Sequence, residues 1–221
     1  MKKMILSLAA LLVVTSLSAQ HTSFGLRTGF SKWKDLGNGR YSSSGSWDKE
    51  VFARFNAGSK FMIDAAVGFY GLDLNGKKIS NNSYPEYFDT GINEHTQNIE
   101  LSLSVQYDVS CEFMRSTPCL KKLKSYVGVM ISPTLTRNTA ELQYREAGDD
   151  EFRTTLSTKD ALAFWTGINH SFVYQFSENF YTITMAKLEI DPYRLFEKNV
   201  GVSTSPDSRF GLQIGVGYQI N

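Results

Sequence analysis

The last thirteen residues, Arg209 to Asn221, read R-F-G-L-Q-I-G-V-G-Y-Q-I-N. Phe210, Leu212, Ile214, Val216, Tyr218 and Ile220 share one parity, and Gly211, Gln213, Gly215, Gly217 and Gln219 the other. A period of two belongs to a β-strand with two chemically different sides. The second side carries Gly and Gln instead of the Lys, Glu and Thr that a water-washed face collects. A strand this regular and this poor in charge constrains the chain to a sheet whose two faces meet different media. The expectation is that it closes a β-barrel set in a membrane.

The opposite end of the chain reads as an export signal. Lys2 and Lys3 precede the apolar run Met4 to Val14, and Thr15, Ser16, Leu17, Ser18 and Ala19 follow as a small-residue exit. Cleavage is expected after Ala19, so residues 1–19 are a signal peptide and 20–221 one barrel domain. Loss of Lys2 and Lys3 from 23 basic residues leaves 21 against 22 acidic ones, a net charge of about −1. That balance provides no basic footprint for nucleic acid. No later run has the length of apolar sequence that a membrane helix needs.

Two cysteines, Cys111 and Cys119, stand in S-C-E-F-M-R-S-T-P-C-L. An exported chain meets an oxidising compartment, where such a pair is expected to bond and staple a turn. Two idle thiols are the alternative. A metal site is poorly supported, because two thiolates with no nearby His do not complete a tetrahedral shell.

Eight strands can be placed by alternation and turn residues. They are His21–Trp33, Lys49–Asn56, Phe61–Phe69, Ile99–Asp108, Tyr126–Leu135, Ala161–Phe176, Phe180–Ile190 and the closing stretch. The second has a weak facial preference and the seventh an ambiguous one. Between them lie a Gly/Ser-rich loop (34–48), a turn at Asn56–Ser59, a polar loop (73–94) and the Cys-bearing turn. A charged loop (136–159), a turn at Ser177–Asn179 and a last loop (191–208) follow. The connections therefore run long, short, long, medium, long, short, long. Membrane barrels have this rhythm, with long extracellular loops and short periplasmic turns. An even strand number puts both termini on one side.

Alternation alone does not say which face points inward. A soluble calycin-like barrel that holds a small ligand also alternates, and Gly45-Ser46-Trp47 has the form of its G-x-W signature, though in a loop. Charges are nearly absent from the strand cores, with none between Ala161 and Phe176. The less apolar faces carry Gly, Ala, Ser, Asn and Gln, which suit the crowded lumen of a small barrel. Aromatics gather near strand ends: Phe24, Phe30, Trp33, Phe61, Phe69, Tyr107, Phe164, Phe176, Tyr181, Phe210 and Tyr218. That distribution matches two interfacial girdles. The fold expected is an all-β, eight-stranded antiparallel up-and-down transmembrane β-barrel.

With these strands and the terminal F-G-L-Q-I-G-V-G-Y-Q-I, the chain resembles the small outer-membrane β-barrels of the PorT-like and OmpA/OmpX-like type. The resemblance implies the outer membrane of a Gram-negative bacterium, a monomer surrounded by outer-membrane lipid, and no cofactor. It also implies that the closing strand, with Phe210, Tyr218 and Ile220, is the signal read by the barrel-assembly machinery. The family's usual terminal aromatic is replaced here by Ile220-Asn221.

Little in the sequence carries chemistry. Asn169-His170-Ser171 invites comparison with lipid A-modifying enzymes, but adjacent strand residues point to opposite faces, so His170 and Ser171 are not a nucleophile–base pair. Asp149, Asp150 and Glu151 could hold calcium, though a solvated loop is their ordinary reading. Arg27, Arg54, Asp64 and Glu100 fall on inward faces. Buried charges must be paired, so they are expected to form a network that plugs the lumen and excludes a pore. The function expected is non-enzymatic, exerted through the extracellular loops or in support of the envelope or of secretion.

Overall fold

A computed structural model describes residues 22–34, 45–75, 87–110, 122–146, 153–192 and 208–220. The elements are β1 (Thr22–Lys34), β2 (Gly45–Asn56), β3 (Phe61–Asn75), β4 (Tyr87–Asp108), β5 (Leu123–Glu146), β6 (Arg153–Gln175), β7 (Phe180–Ile190) and β8 (Ser208–Ile220). Each pairs antiparallel with its sequence neighbour, and β1 pairs with β8 to close the barrel. The closing seam runs without a slip from Thr22↔Ile220 to Lys34↔Ser208. The signal segment, Cys111, Cys119 and the acidic run at Asp149–Glu151 lie outside the described residues.

The apolar parity faces outward. Phe24, Leu26 and Phe30 on β1 and Leu212, Ile214 and Val216 on β8 are exposed. The opposite parity, including Arg27, Ser31 and Gln213, is buried in the lumen. A water-soluble barrel has the reverse arrangement, so this wall is made to meet lipid. Exposed aromatics form two belts. Phe24, Phe61, Phe176, Phe180 and Tyr218, with half-buried Tyr107, lie toward the short turns, and Phe30, Trp47, Phe69, Phe164 and Phe210 toward the long connections. Phe61 stacks edge-on against Tyr107 with centroids 5.4 Å apart, and Phe30 against Trp47 at 6.5 Å. From Phe210 to Tyr218 is eight residues, about 26 Å along the strand, or roughly 20 Å of membrane depth at the usual tilt. Tyr181, assigned by sequence to a girdle, is instead buried in the lumen, where its hydroxyl lies 2.9 Å from Ser23 Oγ.

The facing of β2 and β7 is now defined. Ser46, Asp48, Glu50, Phe52 and Arg54 turn inward from β2, and Tyr181, Ile183, Met185, Lys187 and Glu189 from β7. Two glycines make room for the aromatic members of this set. Gly25 and Gly217 are register partners on the closing seam. A Cβ on Gly25 would lie 2.4 Å from Phe52 Cζ, and one on Gly217 only 2.2 Å from Tyr181 Cζ. Phe52, Tyr181, Ile183, Met185 and Ala66 form an apolar cluster at this level of the lumen.

The two long polar loops expected from sequence are largely strand. Residues 73–75 and 87–94 belong to β3 and β4, and 136–146 and 153–159 to β5 and β6. Leu123 and Lys124, placed by sequence in the Cys-bearing turn, open β5. A membrane strand needs about 9–11 residues, whereas β4, β5 and β6 have 22, 24 and 23. Their outer halves rise past the belt as a three-stranded ribbon. Thr154 to Thr158 are all exposed, so both faces of the ribbon meet water there. Neither parity then has to be apolar, and the period-two signal disappears from the sequence.

Arg137 and Asp160, register partners on this ribbon, form an exposed ion pair with Nε–Oδ1 at 3.0 Å. Hydrogen bonds from the guanidinium, then its charge, hold the Asp160 carboxyl below its usual range. A depressed carboxyl supports the ribbon above its unfolded pKa and loses that support as pH falls through the folded one. The Asp160 carboxyl resonance should therefore titrate lower in the wild type than in Arg137→Gln; equal titration curves would show that the pair does not persist in solution. Gly217→Leu should abolish the heat-modifiable folded band on cold SDS gels, and Tyr181→Ala in the same chain should restore it.

Candidate functional site: the charged lumen

Eight strands enclose a lumen that side chains just fill. Here the filling is charged. Besides Asp191 just past β7, four cations, Arg27, Arg54, Lys187 and Arg209, and five carboxylates, Asp48, Glu50, Asp64, Glu100 and Glu189, are buried inside. They form one continuous chain of contacts of alternating sign.

The chain begins near the short-turn end with Arg54. Its Nε lies 3.3 Å from Asp64 Oδ2, and its Nη2 donates to Gln106 Oε1 at 3.0 Å. Asp64 is held in a two-point clamp by Arg27, whose Nη1 and Nη2 donate at 3.0 and 2.9 Å. Arg27 Nε donates to Glu50 Oε2 at 2.6 Å. The other Glu50 oxygen accepts from Lys187 Nζ at 2.9 Å and from Gln213 Nε2 at 2.5 Å. Lys187 lies between three carboxylates, with Glu100 at 3.6 Å and Asp48 at 3.8 Å. Glu100 pairs with Arg209 Nη1 at 2.5 Å, and Arg209 Nε donates to Glu189 Oε2 at 2.7 Å.

Rings cover the three guanidinium groups. Arg27 lies 5.0 Å from the Phe52 centroid, and Arg54 5.0 Å from that of Tyr126. Arg209 lies 5.3 Å from Tyr70 and 5.6 Å from Trp165. A guanidinium is weakly hydrated and planar, so it tolerates a carboxylate at its edge and a ring on its face. Asp48 is steadied by two short hydroxyls: Ser46 Oγ donates at 3.0 Å, and Ser31 Oγ donates to the other oxygen.

Several contacts cross the barrel. Strands β4 and β8 stand opposite each other in an eight-membered ring, and Glu100–Arg209 joins them. Lys187 reaches from β7 to Glu50 on β2. Lower down, Asn169 Nδ2 donates to Ser104 Oγ at 2.7 Å and Ser171 Oγ to Gln106 Oε1 at 2.9 Å, linking β6 to β4.

The sequence-derived set is thus placed as follows. Arg27, Arg54 and Asp64 meet directly, while Glu100 sits further along the chain, on Lys187 and Arg209. Sequence reasoning missed Asp48, Glu50, Lys187, Glu189 and Arg209. A usable signal was present in the same-parity spacing of Asp48, Glu50 and Arg54, and of Lys187 and Glu189. It was masked by outward Lys49 and inward Phe52 on β2, and by inward Ile183 and Met185 on β7. Phe210, Tyr218 and Ile220 all point outward.

One Ser–His contact lies elsewhere. Outward-facing His170 has Nε2 2.8 Å from Ser125 Oγ, whereas Ser171 faces the lumen. No carboxylate among the described residues pairs with His170. The Ser125 backbone N–H is spent on Ser110 Oγ at 2.8 Å and is not free for an oxyanion. Ser125 itself is buried beside the Phe172 ring, which packs 4.4 Å from that of His170. The arrangement satisfies two polar groups in an apolar wall and lacks the remaining parts of a hydrolytic site.

Removing one member of a buried charge pair strands its partner, at a cost of about 3–5 kcal/mol. Arg27→Met should lower unfolding stability in lipid vesicles by that amount in a urea titration. A loss no greater than that of a surface substitution would show that Glu50 and Asp64 do not depend on Arg27.

The sequence matches no protein-family model and no curated protein. Among solved structures, the chain is similar to a major outer-membrane protein of Thermus thermophilus, with 15% identity, TM-score 0.49, and coverage of 90% of this chain and 99% of that one. It is also similar to OprG of Pseudomonas aeruginosa, with 11% identity, TM-score 0.48 and coverage of 90% and 96%. For neisserial surface protein A the values are 14%, 0.46, 90% and 96%. Independently of those likenesses, a closed ring of eight antiparallel strands with a lipid-type exterior is the architecture of an outer-membrane β-barrel.

Proposed function

We propose that this chain is a non-enzymatic outer-membrane barrel, closed to solutes, that works through the surface it presents beyond the membrane. The observation that carries this reading is the chain of nine charged side chains from Arg54 to Glu189, with contacts that cross the lumen. A pore for solutes needs an open aqueous path, whereas ion pairs across an eight-stranded lumen occupy that path. The described wall also offers no complete catalytic arrangement. What remains for function is the ribbon of β4, β5 and β6 with the long connections at that end, in an envelope or secretion-support role. On the PorT-like resemblance, secretion support is the more specific form of that role. The closing strand, with Phe210, Tyr218 and Ile220 outward, supplies the face that the barrel-assembly machinery would read.

Planar-bilayer recording tests the closed lumen. Wild-type protein should show no ohmic conductance steps, and Glu100→Ala combined with Arg209→Ala should introduce them. Heat-modifiable mobility of both proteins establishes that each is folded. Steps in the wild type, or none in a folded double variant, would overturn the reading.

A further inference from the structure

The lipid-facing wall is not uniform. A groove with a volume of about 560 Å³ crosses it over β1, between β2 and β8. The register explains its shape. Thr28 stands opposite both Lys49 and Ile214, and Leu26 opposite both Val51 and Val216. Thr28 is the short member of its row and forms the floor. Its hydroxyl donates to the Asp48 carbonyl at 2.8 Å, so it is satisfied by the backbone and leaves its methyl for the groove. Val51, Ile214 and Val216 make apolar walls.

Of the three charged residues at the lining, Arg27 and Glu50 turn their side chains into the lumen and Lys49 does not. Lys49 is exposed on the lipid side, between Trp47 and Val51 on β2 and opposite Phe69 on β3. No carboxylate among the described residues pairs with it, while every buried carboxylate in the same strand is already paired across the lumen. A cation on a lipid face is costly unless its ammonium reaches the headgroup layer. Lys49 lies two residues below Trp47 of the belt at the long-connection end, within reach of that layer. Lys32 also points outward at that end, on β1. An apolar trough with an unpaired ammonium at its upper rim is complementary to an amphiphile with acyl chains and an anionic head.

We propose that this groove holds a phosphorylated, acylated glycolipid of the lipid A type, with an acyl chain over Thr28 and a phosphate on Lys49. The choice of glycolipid over phospholipid rests on the reading above that this end faces outward, because the outward leaflet of an outer membrane is built from such glycolipid. The ammonium then has its counterion, and the lipid has a fixed seat on the wall.

Native mass spectrometry of the detergent-folded full chain tests the proposal, with bisphosphorylated lipid A, dephosphorylated lipid A and phosphatidylglycerol as probes. The expected result is one retained bisphosphorylated lipid A per barrel. Retention should fall at least tenfold for dephosphorylated lipid A, for Lys49→Gln, and for Thr28→Trp, which fills the floor. Lys49→Arg should retain it. Equal binding of phosphatidylglycerol would overturn the glycolipid assignment. No adduct, or wild-type retention by Lys49→Gln or Thr28→Trp, would overturn the site. Heat-modifiable mobility reports folding of every variant, and because binding is read in detergent its failure is separate from a failure of the membrane assignment, which cell fractionation reads.

Discussion

Glu50 is the point on which the lumen depends. Its two oxygens receive Arg27 on one side and Lys187 and Gln213 on the other, so four strands converge on one carboxylate. Burying a single ion is prohibitive, and burying a pair is close to neutral at best. The arrangement persists because the charges form a series. Arg27 serves Glu50 and Asp64, Asp64 also serves Arg54, Lys187 serves Glu50, Asp48 and Glu100, and Glu100 passes the sequence to Arg209. The central ions Arg27, Asp64, Glu50, Lys187, Glu100 and Arg209 are each shared, so their desolvation cost is offset by more than one partner. The same sharing makes the lumen intolerant of single deletions and fixes the height of each strand relative to its neighbours.

That fixed register explains the division of the barrel along its axis. Toward the short turns the lumen is filled by Phe52, Tyr181, Ile183 and Met185, with Gly25 and Gly217 cut back to admit two rings. The charge series starts beside them at Arg54 and Arg27 and runs on through the middle. Toward the other end Tyr70 and Trp165 cover Arg209. Above them β4, β5 and β6 continue for about as many residues again as a bilayer crossing uses. On the function proposed above, a barrel whose lumen is crossed by ion pairs and whose strands extend well past the lipid presents its working surface on the extension.

The parts of this architecture that were legible in the sequence are those where two media impose opposite demands on alternate residues. β8, β3 and the lower half of β4 show clean alternation because lipid lies on one side and a tight lumen on the other. The ribbon gave no such signal, because Thr154 to Thr158 meet water on both faces. β2 and β7 were ambiguous for a different reason: their inward faces change character along the strand. Phe52 stands between Glu50 and Arg54, and Ile183 and Met185 precede Lys187 and Glu189. Arg27, Arg54, Asp64 and Glu100 could be placed inside by parity, but which charge meets which depends on cross-barrel distances. No local pattern encodes those. Tyr181 illustrates the limit, since an aromatic at a strand end suits a girdle or a lumen cluster equally until the parity of β7 is known.

The exterior follows the same economy of polar groups from the opposite direction. Inside, every charge has a partner because water is excluded by packing; outside, water is excluded by lipid, and the same rule should hold. Thr28 obeys it by turning its hydroxyl onto the Asp48 carbonyl, and His170 and Ser125 obey it by meeting each other. Lys49 is an outward cation whose partner is not supplied by the described residues, and it stands at the rim of the groove over β1. Under the lipid assignment proposed above, an ammonium left at the headgroup level without a partner from the described residues takes its counterion from the membrane itself.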